Sequence, residues 1–257
     1  MKTKYLSRIF GHGAARVAHV GYSLSRRISG IEPAVTDQAN SLGKCLVGSE
    51  PCVIDIGANV GQFAHSIFEL APAARVLSID PIPSNVEACQ QRFSGKPGYR
   101  AVQAAVGRQS GPNVTFKVHP YSQASSMLPP SSAARQSFRS LDGEMTEIST
   151  PMFALDDLMR SQSGFETVHL LKIDVEGFEA QVLEGANETL SRSRALLVET
   201  QVVAMNEGAE LFDQICYLAR KAGFRFDSIQ GEVRDVFGNL LMMDLLFVRV
   251  SRADNGH

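Results

Sequence analysis

Several features that would place a protein in a class at once are missing from this sequence of 257 residues. It contains no tryptophan and only five tyrosines, so few aromatic side chains are available for stacking on a sugar ring. Its four cysteines form no C-x-x-C pair, which disfavours a zinc site and predicts free thiols in a reducing compartment such as the cytoplasm. No apolar run reaches the roughly 18 residues that a membrane-spanning helix needs.

A strong charge is also missing. The formal net charge is -2, which gives no reason to expect nucleic acid as a partner. With 44% apolar and 20% charged residues, the chain has the composition of a globular protein that buries a substantial core. Its length suits one large domain, or one domain with an extension. Nothing in the composition indicates an oligomeric state.

The N-terminal segment differs from the rest of the chain. Residues 1–31 include six basic residues and no acidic one, and their apolar positions recur at roughly helical spacing. The segment lacks the continuous apolar core of a secretory signal. We therefore divide the chain into a basic helical extension over residues 1–45 and a main domain over residues 46–257. The extension is expected either to dock on the main domain or to lie as an interfacial helix on the inner face of a membrane.

The most informative segment follows the apolar run at residues 52–54. Residues 55–61 read DIGANVG, and a helical pattern comes next. Strand, glycine turn and helix in this order bring exposed backbone against a nucleotide-like cofactor in α/β proteins. Gly57 and Gly61 permit close approach and a positive φ. The segment therefore predicts a cofactor site.

A second acid narrows the choice of cofactor. Residues 75–79 form a predicted strand that ends at Asp80, about 20 residues beyond the glycine turn, where an acid accepts hydrogen bonds from ribose hydroxyls. This position suits both NAD and S-adenosylmethionine. The dinucleotide fingerprint requires glycine at the third and sixth positions from Gly57, and these are Asn59 and Gln62. The spacing therefore favours S-adenosylmethionine.

Alternating strand and helix patterns continue along the chain, as expected of an α/β protein. The further predicted strands cover residues 99–106, 114–118, 168–173 and 195–198. The predicted helices cover residues 179–190 and 209–222. Residues 225–229 and 245–250 are predicted to form a closing antiparallel hairpin. The polar stretch at residues 119–150 is expected to be the wall or lid of a substrate pocket, the alternative being a mobile insertion.

Five motifs, in order, resemble those of the FkbM-type methyltransferases. They read VIDIGANVGQF at residues 53–63, IDPIP at 79–83, the pair Ser125-Ser126, ALDDL at 154–158 and LKIDVEGFE at 171–179. The resemblance covers roughly residues 50–200. Asp80 stands where the family usually has glutamate, and this shorter acid still reaches a ribose.

The resemblance implies a class I methyltransferase that depends on S-adenosylmethionine. Such a protein has a Rossmann-like, mostly parallel sheet of seven strands in the order 3-2-1-4-5-7-6, with helices on both faces. The implied reaction is O-methylation of a sugar, a glycolipid or a polyketide-type natural product, so the acceptor is a small molecule or a glycolipid. The expected cofactor-binding residues are Asp55, Gly57, Ala58, Asn59, Gly61, Asp80, Pro81, Ile82, Ala105 and Asp174.

Methylation of a hydroxyl requires removal of its proton, because a neutral hydroxyl is a weak nucleophile. Asp174 follows the fourth strand and Glu199 the fifth, and the carboxyl ends of parallel strands meet at one edge of the sheet. We expect Asp174 or Glu176 to be the general base or to orient the hydroxyl, with His119 as an alternative base. The alternatives without a catalytic role are that His119 is a solvated loop histidine and that Glu176 stabilises a helix N-terminus.

Other chemistries stay open. Asp174 and Glu199, with further oxygen ligands, can hold Mg²⁺, which would bind and acidify a sugar diol. Nitrogen acceptors are disfavoured, because residues 174–177 read DVEG rather than the Asn-Pro-Pro-aromatic signature of many amino-directed enzymes. A third reading is a homologue that binds S-adenosylmethionine without turnover.

Overall fold

The computed structural model describes residues 41–120, 125–137 and 144–250. Its strands are β1 (Cys52–Ile56), β2 (Arg75–Asp80), β3 (Tyr99–Gln103), β4 (Ala105–Gly107), β5 (Gly111–Val118), β6 (Thr146–Ala154), β7 (Val168–Ile173), β8 (Ser193–Gln201), β9 (Phe224–Arg234) and β10 (Leu240–Arg249). Its helices are α1 (Gln62–Leu70), α2 (Pro83–Arg92), α3 (Ser132–Ser137), α4 (Leu155–Met159), α5 (Glu179–Glu184), α6 (Asn187–Ser191) and α7 (Phe212–Lys221). Within these ranges, no helix is long and apolar enough to cross a membrane.

Most of the predicted extension at residues 1–45 lies outside the described residues, so both its role and the domain division stay predictions. A short helical segment at residues 41–45 is described. Leu42 and Leu46 are buried there and pack against the core beside Val53 and Phe63. The described part of the extension is therefore docked on the sheet.

Seven strands form the main sheet, in the order β3-β2-β1-β7-β8-β10-β9. The first five run parallel to one another, and β10 is antiparallel to both β8 and β9. When these seven strands are numbered by their order along the chain, the sheet order is 3-2-1-4-5-7-6, as predicted. The fold prediction is therefore confirmed, including the closing hairpin.

Both faces of the sheet are covered. In β1, Cys52, Ile54 and Ile56 pack into one apolar cluster with residues of α4, α5 and α7, whereas Val53 packs into the other with residues of α1. The side chains of β1 and β7 are buried along their whole length. This two-sided burial explains why both strands are so apolar in sequence.

A second, three-stranded sheet in the order β4-β6-β5 was not predicted. The predicted third strand at residues 99–106 is in fact two strands. The Ala104 N–H still bonds to the Asp80 carbonyl of the main sheet, but Ala105 pairs with Met152 of the second sheet. A continuous strand-like pattern does not mark such a change of partner.

The predicted loop at residues 119–150 is also partly regular. It contains α3, and β6 begins at Thr146, opposite Val118 of β5. The first residues of β6 are largely exposed, so the strand lacks the apolar signal that sequence reading relies on.

One predicted helix is broken in two. Residues 179–190 form α5 and α6, separated at Gly185, where a Cβ would overlap the Gly107 carbonyl oxygen of β4. The break lets the end of α5 lie directly against the second sheet.

Candidate active site

A cavity opens at the carboxyl ends of β1, β2, β7 and β8. One half, here the glycine-turn half, includes Gly57, Ala58, Asn59, Asp80, Pro81, Ile82 and Ala105. The other, here the carboxylate half, includes Lys172, Asp174, Glu176, Glu199 and Asp244. Ligands of open α/β sheets bind at this edge.

The two glycines of the turn are required for different contacts. Gly57 has φ 78°, and a Cβ there would overlap the carbonyl oxygen of Asp174. Gly61 has φ 79° and faces away from the cavity, where a Cβ would lie 2.7 Å from the Phe93 ring. Gly57 therefore lets β1 and β7 approach at the cavity floor, and Gly61 lets α1 begin against the end of α2.

Asp80 organises the glycine-turn half. One carboxylate oxygen accepts the Asn59 N–H at 2.8 Å. The other accepts the Ile82 N–H at 2.9 Å and the Asn85 side-chain amide at 3.0 Å. Burial raises the pKa of Asp80 to about 6, although these hydrogen bonds act to lower it. Because a carboxylate offers about four acceptor positions, Asp80 keeps acceptor capacity for a ligand hydroxyl.

Asn59 is one of two described non-glycine residues with a positive φ, at 48°. Its side-chain oxygen accepts the Val60 N–H at 2.7 Å. Asparagine tolerates this conformation better than most residues because its short side chain bonds locally. One of the two residues that break the dinucleotide fingerprint thus shapes this turn.

Three of the predicted site residues do not line the cavity. Asp55 is fully buried below it, with a carboxylate oxygen 3.4 Å from the Lys172 ammonium. Gly61 packs on Phe93, as described above. His119 is buried after the end of β5, and its backbone N–H donates to the Ser125 hydroxyl. The other predicted catalytic and cofactor-binding residues line it.

The carboxylate half brings together acids from neighbouring strands. Because β7 and β8 pair in parallel, with Ile173 opposite Val198, Asp174 and Glu199 follow at the same edge. One carboxylate oxygen each of Asp174, Glu176 and Glu199 lies within 4.8 Å of the others. Burial first, and the neighbouring acids second, raise the pKa values of Glu176 and Glu199 well above the ordinary range. A proton is therefore held more tightly on these two side chains than on an ordinary carboxyl group.

Lys172 neutralises part of this charge. Its ammonium lies 2.9 Å from an Asp174 oxygen and 3.4 Å from an Asp55 oxygen, and 5.3 Å from the centre of the Phe63 ring. Burial acts to lower the pKa of Lys172, but the carboxylates of Asp174 and Asp55 outweigh it and raise the pKa. The lysine therefore remains charged and holds the Asp174 carboxylate in place.

Sequence reading missed Asp244, the single acid in the apolar strand β10. It lies opposite Glu199 of β8 and Gly231 of β9. A Cβ on Gly231 would overlap its carboxylate, so the glycine makes room for it. Burial, then the charge of Asp174, raises the pKa of Asp244 to about 6. An acid alone in an apolar strand was the signal that could have revealed it.

Apolar residues complete the wall of the cavity. Phe116, Met127, Val233 and Met242 line it together with the acids. Met127 belongs to the stretch predicted as a pocket wall. The wall offers apolar surface to a ligand whose polar end reaches the carboxylates.

Comparison with known proteins identifies the domain. A family model described as the Methyltransferase FkbM domain matches residues 55–226. The chain is 27% identical over 169 residues to the 2-O-methyltransferase NoeI of Sinorhizobium fredii, covering 62% of this chain and 67% of that protein. It is 25% identical over 196 residues to the methyltransferase sdnD of Sordaria araneosa, covering 68% of this chain and 74% of that protein.

Among solved structures, fibrillarin of Aeropyrum pernix with natively bound S-adenosyl-L-methionine is similar at 11% identity and a TM-score of 0.46, covering 82% of this chain and 73% of that chain. A likeness of this size carries no further conclusion. The family match, by contrast, covers the cavity residues from the glycine turn to Glu199, whereas Asp244 lies beyond it.

Proposed function

The chain belongs to the FkbM family of S-adenosylmethionine-dependent methyltransferases, and on that premise we propose that it methylates a hydroxyl oxygen of a sugar, a glycolipid or a polyketide-type natural product. The observation that carries the proposal is the group of carboxylates beside the glycine turn. An alcohol needs such a base, because its proton must leave as its oxygen attacks the methyl group. The name of the relative NoeI, a 2-O-methyltransferase, supports an oxygen acceptor.

The glycine-turn half holds the methyl donor in this proposal. Asp80 would accept hydrogen bonds from the ribose hydroxyls, and the backbone at Gly57 and Ala58 would lie beside the donor. S-adenosylmethionine supplies a methyl group already activated on a sulfonium. The protein therefore has mainly to align the two reactants and remove one proton.

The carboxylate half receives the acceptor. Glu176 is the proposed general base, with Asp174 as the alternative that the sequence left open. The ion pair with Lys172 favours an orienting role for Asp174, because it holds the carboxylate in one position. Glu199 has a buried carboxylate oxygen without a hydrogen-bond partner among the described residues, so it can accept the proton from Glu176.

The test of the proposal is incubation with S-adenosylmethionine and a panel of glycosides, glycolipids and polyketide alcohols. We expect S-adenosylhomocysteine and an O-methylated product, identified by mass spectrometry and NMR. An N-methylated product would replace this proposal with the amine alternative. Binding of S-adenosylmethionine in calorimetry without a methylated product from any acceptor would instead indicate a homologue that binds the methyl donor without turnover.

A divalent cation is a second arrangement of the same site. The oxygens of Asp174, Glu176 and Glu199 suit a hard cation such as Mg²⁺ in number and chemistry, although none of the relatives supports it. Such a cation would acidify an acceptor hydroxyl. Activity that survives exhaustive chelation would exclude this arrangement. Activity lost on chelation and restored by Mg²⁺ alone would establish it in place of the carboxylate base.

A further inference from the structure

The turn that carries the proposed base has an unusual backbone. Glu176 has φ 57°, a left-handed conformation that side chains other than glycine and asparagine rarely adopt. Such a conformation persists only where the surrounding structure imposes it, and it is most common at functional sites. The groups that impose it at Glu176 are therefore candidates for a role in the reaction.

Two side chains hold this turn. Glu179, buried at the start of α5, accepts the N–H groups of Val175 at 3.0 Å and of Gly177 at 3.1 Å with one oxygen. These two amides flank Glu176. The Ser126 hydroxyl donates to the Glu176 carbonyl at 2.6 Å. The backbone on both sides of Glu176 is thus fixed, and its carboxylate lies on the cavity wall.

Ser126 lies between two residues of the cavity wall, Ser125 and Met127. Its hydroxyl accepts the Leu128 N–H at 3.0 Å, and its backbone pairs with Lys117 of β5. The residue between these bonds, Met127, lines the cavity. One buried hydroxyl therefore connects the wall of the acceptor pocket to the turn that carries the base.

We propose that Ser126 is a positioning residue for methyl transfer, which acts by holding the carbonyl of Glu176 so that the Glu176 carboxylate faces the acceptor hydroxyl. This inference rests on the proposed function, because it requires Glu176 to take part in proton removal. Loss of the hydroxyl should release the left-handed turn and move the carboxylate, while leaving the glycine-turn half intact. The expected effect is therefore on turnover and not on binding of the methyl donor.

Ser131 provides a matched control. Its buried hydroxyl donates to the Ala204 carbonyl at 2.6 Å and accepts the Ala134 N–H at 3.1 Å, the same pair of bonds that Ser126 makes. Neither Ser131 nor Ala204 lines the cavity. Ser131→Ala therefore removes an equivalent hydroxyl that does not bond to Glu176.

The experiment measures kcat, KM for the acceptor and the Kd of S-adenosylmethionine in Ser126→Ala, Ser131→Ala, Glu176→Gln and the double variant Ser126→Ala/Glu176→Gln. Ser126→Ala should lower kcat roughly tenfold with an unchanged Kd for the donor. Ser131→Ala should leave kcat within about twofold. Because Ser126 acts through Glu176, its loss should have no further effect on kcat in the Glu176→Gln background. Ser126→Cys, which keeps the volume but is a weak donor, should reproduce the loss if the alanine variant folds poorly.

Additive losses in the double variant, or an equal loss in Ser131→Ala, would overturn the role of Ser126 and leave the proposed function standing. A kcat unchanged by Glu176→Gln would overturn the role of Glu176 as well, since nothing would then remain for Ser126 to position. Failure of the wild-type chain to methylate any hydroxyl would remove the proposed function itself.

Discussion

At the scale of the residue, acids outnumber the cation in the carboxylate half of the cavity. Asp174, Glu176, Glu199 and Asp244 line it together with Lys172. The lysine ion-pairs with Asp174 and with the buried Asp55. Among the described residues, neither glutamate has a cation within ion-pair distance. Burial first, and the charges of neighbouring acids second, raise the pKa values of both glutamates. The structure therefore divides the acids into a paired aspartate and glutamates that can exchange protons.

Glu176→Gln is expected to lower kcat by about 100-fold if Glu176 removes the acceptor proton. Asp174→Asn is expected to lower it to a similar extent, because it breaks the ion pair with Lys172. Steady-state kinetics with an acceptor that the wild-type protein methylates measure both effects. Glu188→Gln, at an exposed side chain, is the control and should retain full activity. Rates near wild type in both site variants would refute a role for these acids in proton removal.

Binding of S-adenosylmethionine is expected to weaken as the pH falls through about 6. Burial raises the pKa of Asp80 to about 6, and ribose hydroxyls donate to the ionised carboxylate. Below that pH the free protein must lose a proton to bind the donor, so Kd rises by up to about tenfold per pH unit. Calorimetry between pH 5 and pH 8 measures this. Asp80→Asn should bind weakly throughout and should lack this pH dependence; an equal dependence in that variant would assign it to another group.

At the scale of the element, the glycine turn between β1 and α1 serves the packing of two strand ends as well as the proposed binding of a ligand. Gly57 lies where the backbone after β1 meets the backbone after β7, at the Asp174 carbonyl. The two strands end side by side because no Cβ separates them. A cofactor fingerprint in the sequence thus also reflects how closely two strand ends approach.

Gly57→Ala is expected to destabilise the protein by substantially more than Gly208→Ala. Gly208 has a nearly equal φ of 81°, but a Cβ there meets nothing within 4 Å. Gly208→Ala should therefore lower the free energy of unfolding by only about 1 kcal/mol, the cost of alanine in a left-handed backbone conformation. Gly57→Ala adds an overlap with main chain that cannot move aside, worth about 1–3 kcal/mol more. Urea unfolding of both variants measures the difference, and equal losses would contradict the packing role of Gly57.

At the scale of the whole molecule, strand β10 closes the fold. It lies between β8 and β9, and neighbouring residues in it serve different faces of the sheet. Leu246 belongs to the apolar cluster that contains α1, and Phe247 to the cluster that contains α7. Both clusters therefore depend on a strand close to the end of the described chain.

Phe247→Ala is expected to lower the free energy of unfolding by about 3–5 kcal/mol, because the ring is fully buried and its loss leaves a cavity. Phe237, at the tip of the same hairpin, is 87% exposed. Phe237→Ala should change stability by no more than about 0.5 kcal/mol. Chemical denaturation of both variants checks this. A small loss at Phe247 would mean that the hairpin contributes little to the core.

Elements with a strong local signal were predictable. The strands at residues 52–56 and 168–173 are apolar throughout because they are covered on both faces. By contrast, the beginning of β6 is largely exposed and was not predicted. The separation of β4 from β3 was not predicted either, because the chain changes sheets within an unbroken strand-like pattern. The local sequence pattern indicates which residues are buried. Where a strand is only partly buried, or where the chain changes its neighbouring strand, the pattern indicates little.

The sequence by itself determined the family, the order of the main sheet and the acids at the ends of its strands, because each is written in short segments. The tertiary structure decided that Lys172 pairs with Asp174, that Asp244 joins the acids, and that Ser126 bonds to Glu176 from 50 residues away. Such contacts depend on which strand ends meet at one edge of the sheet. That meeting is set by the packing of the whole core, and no short segment contains it.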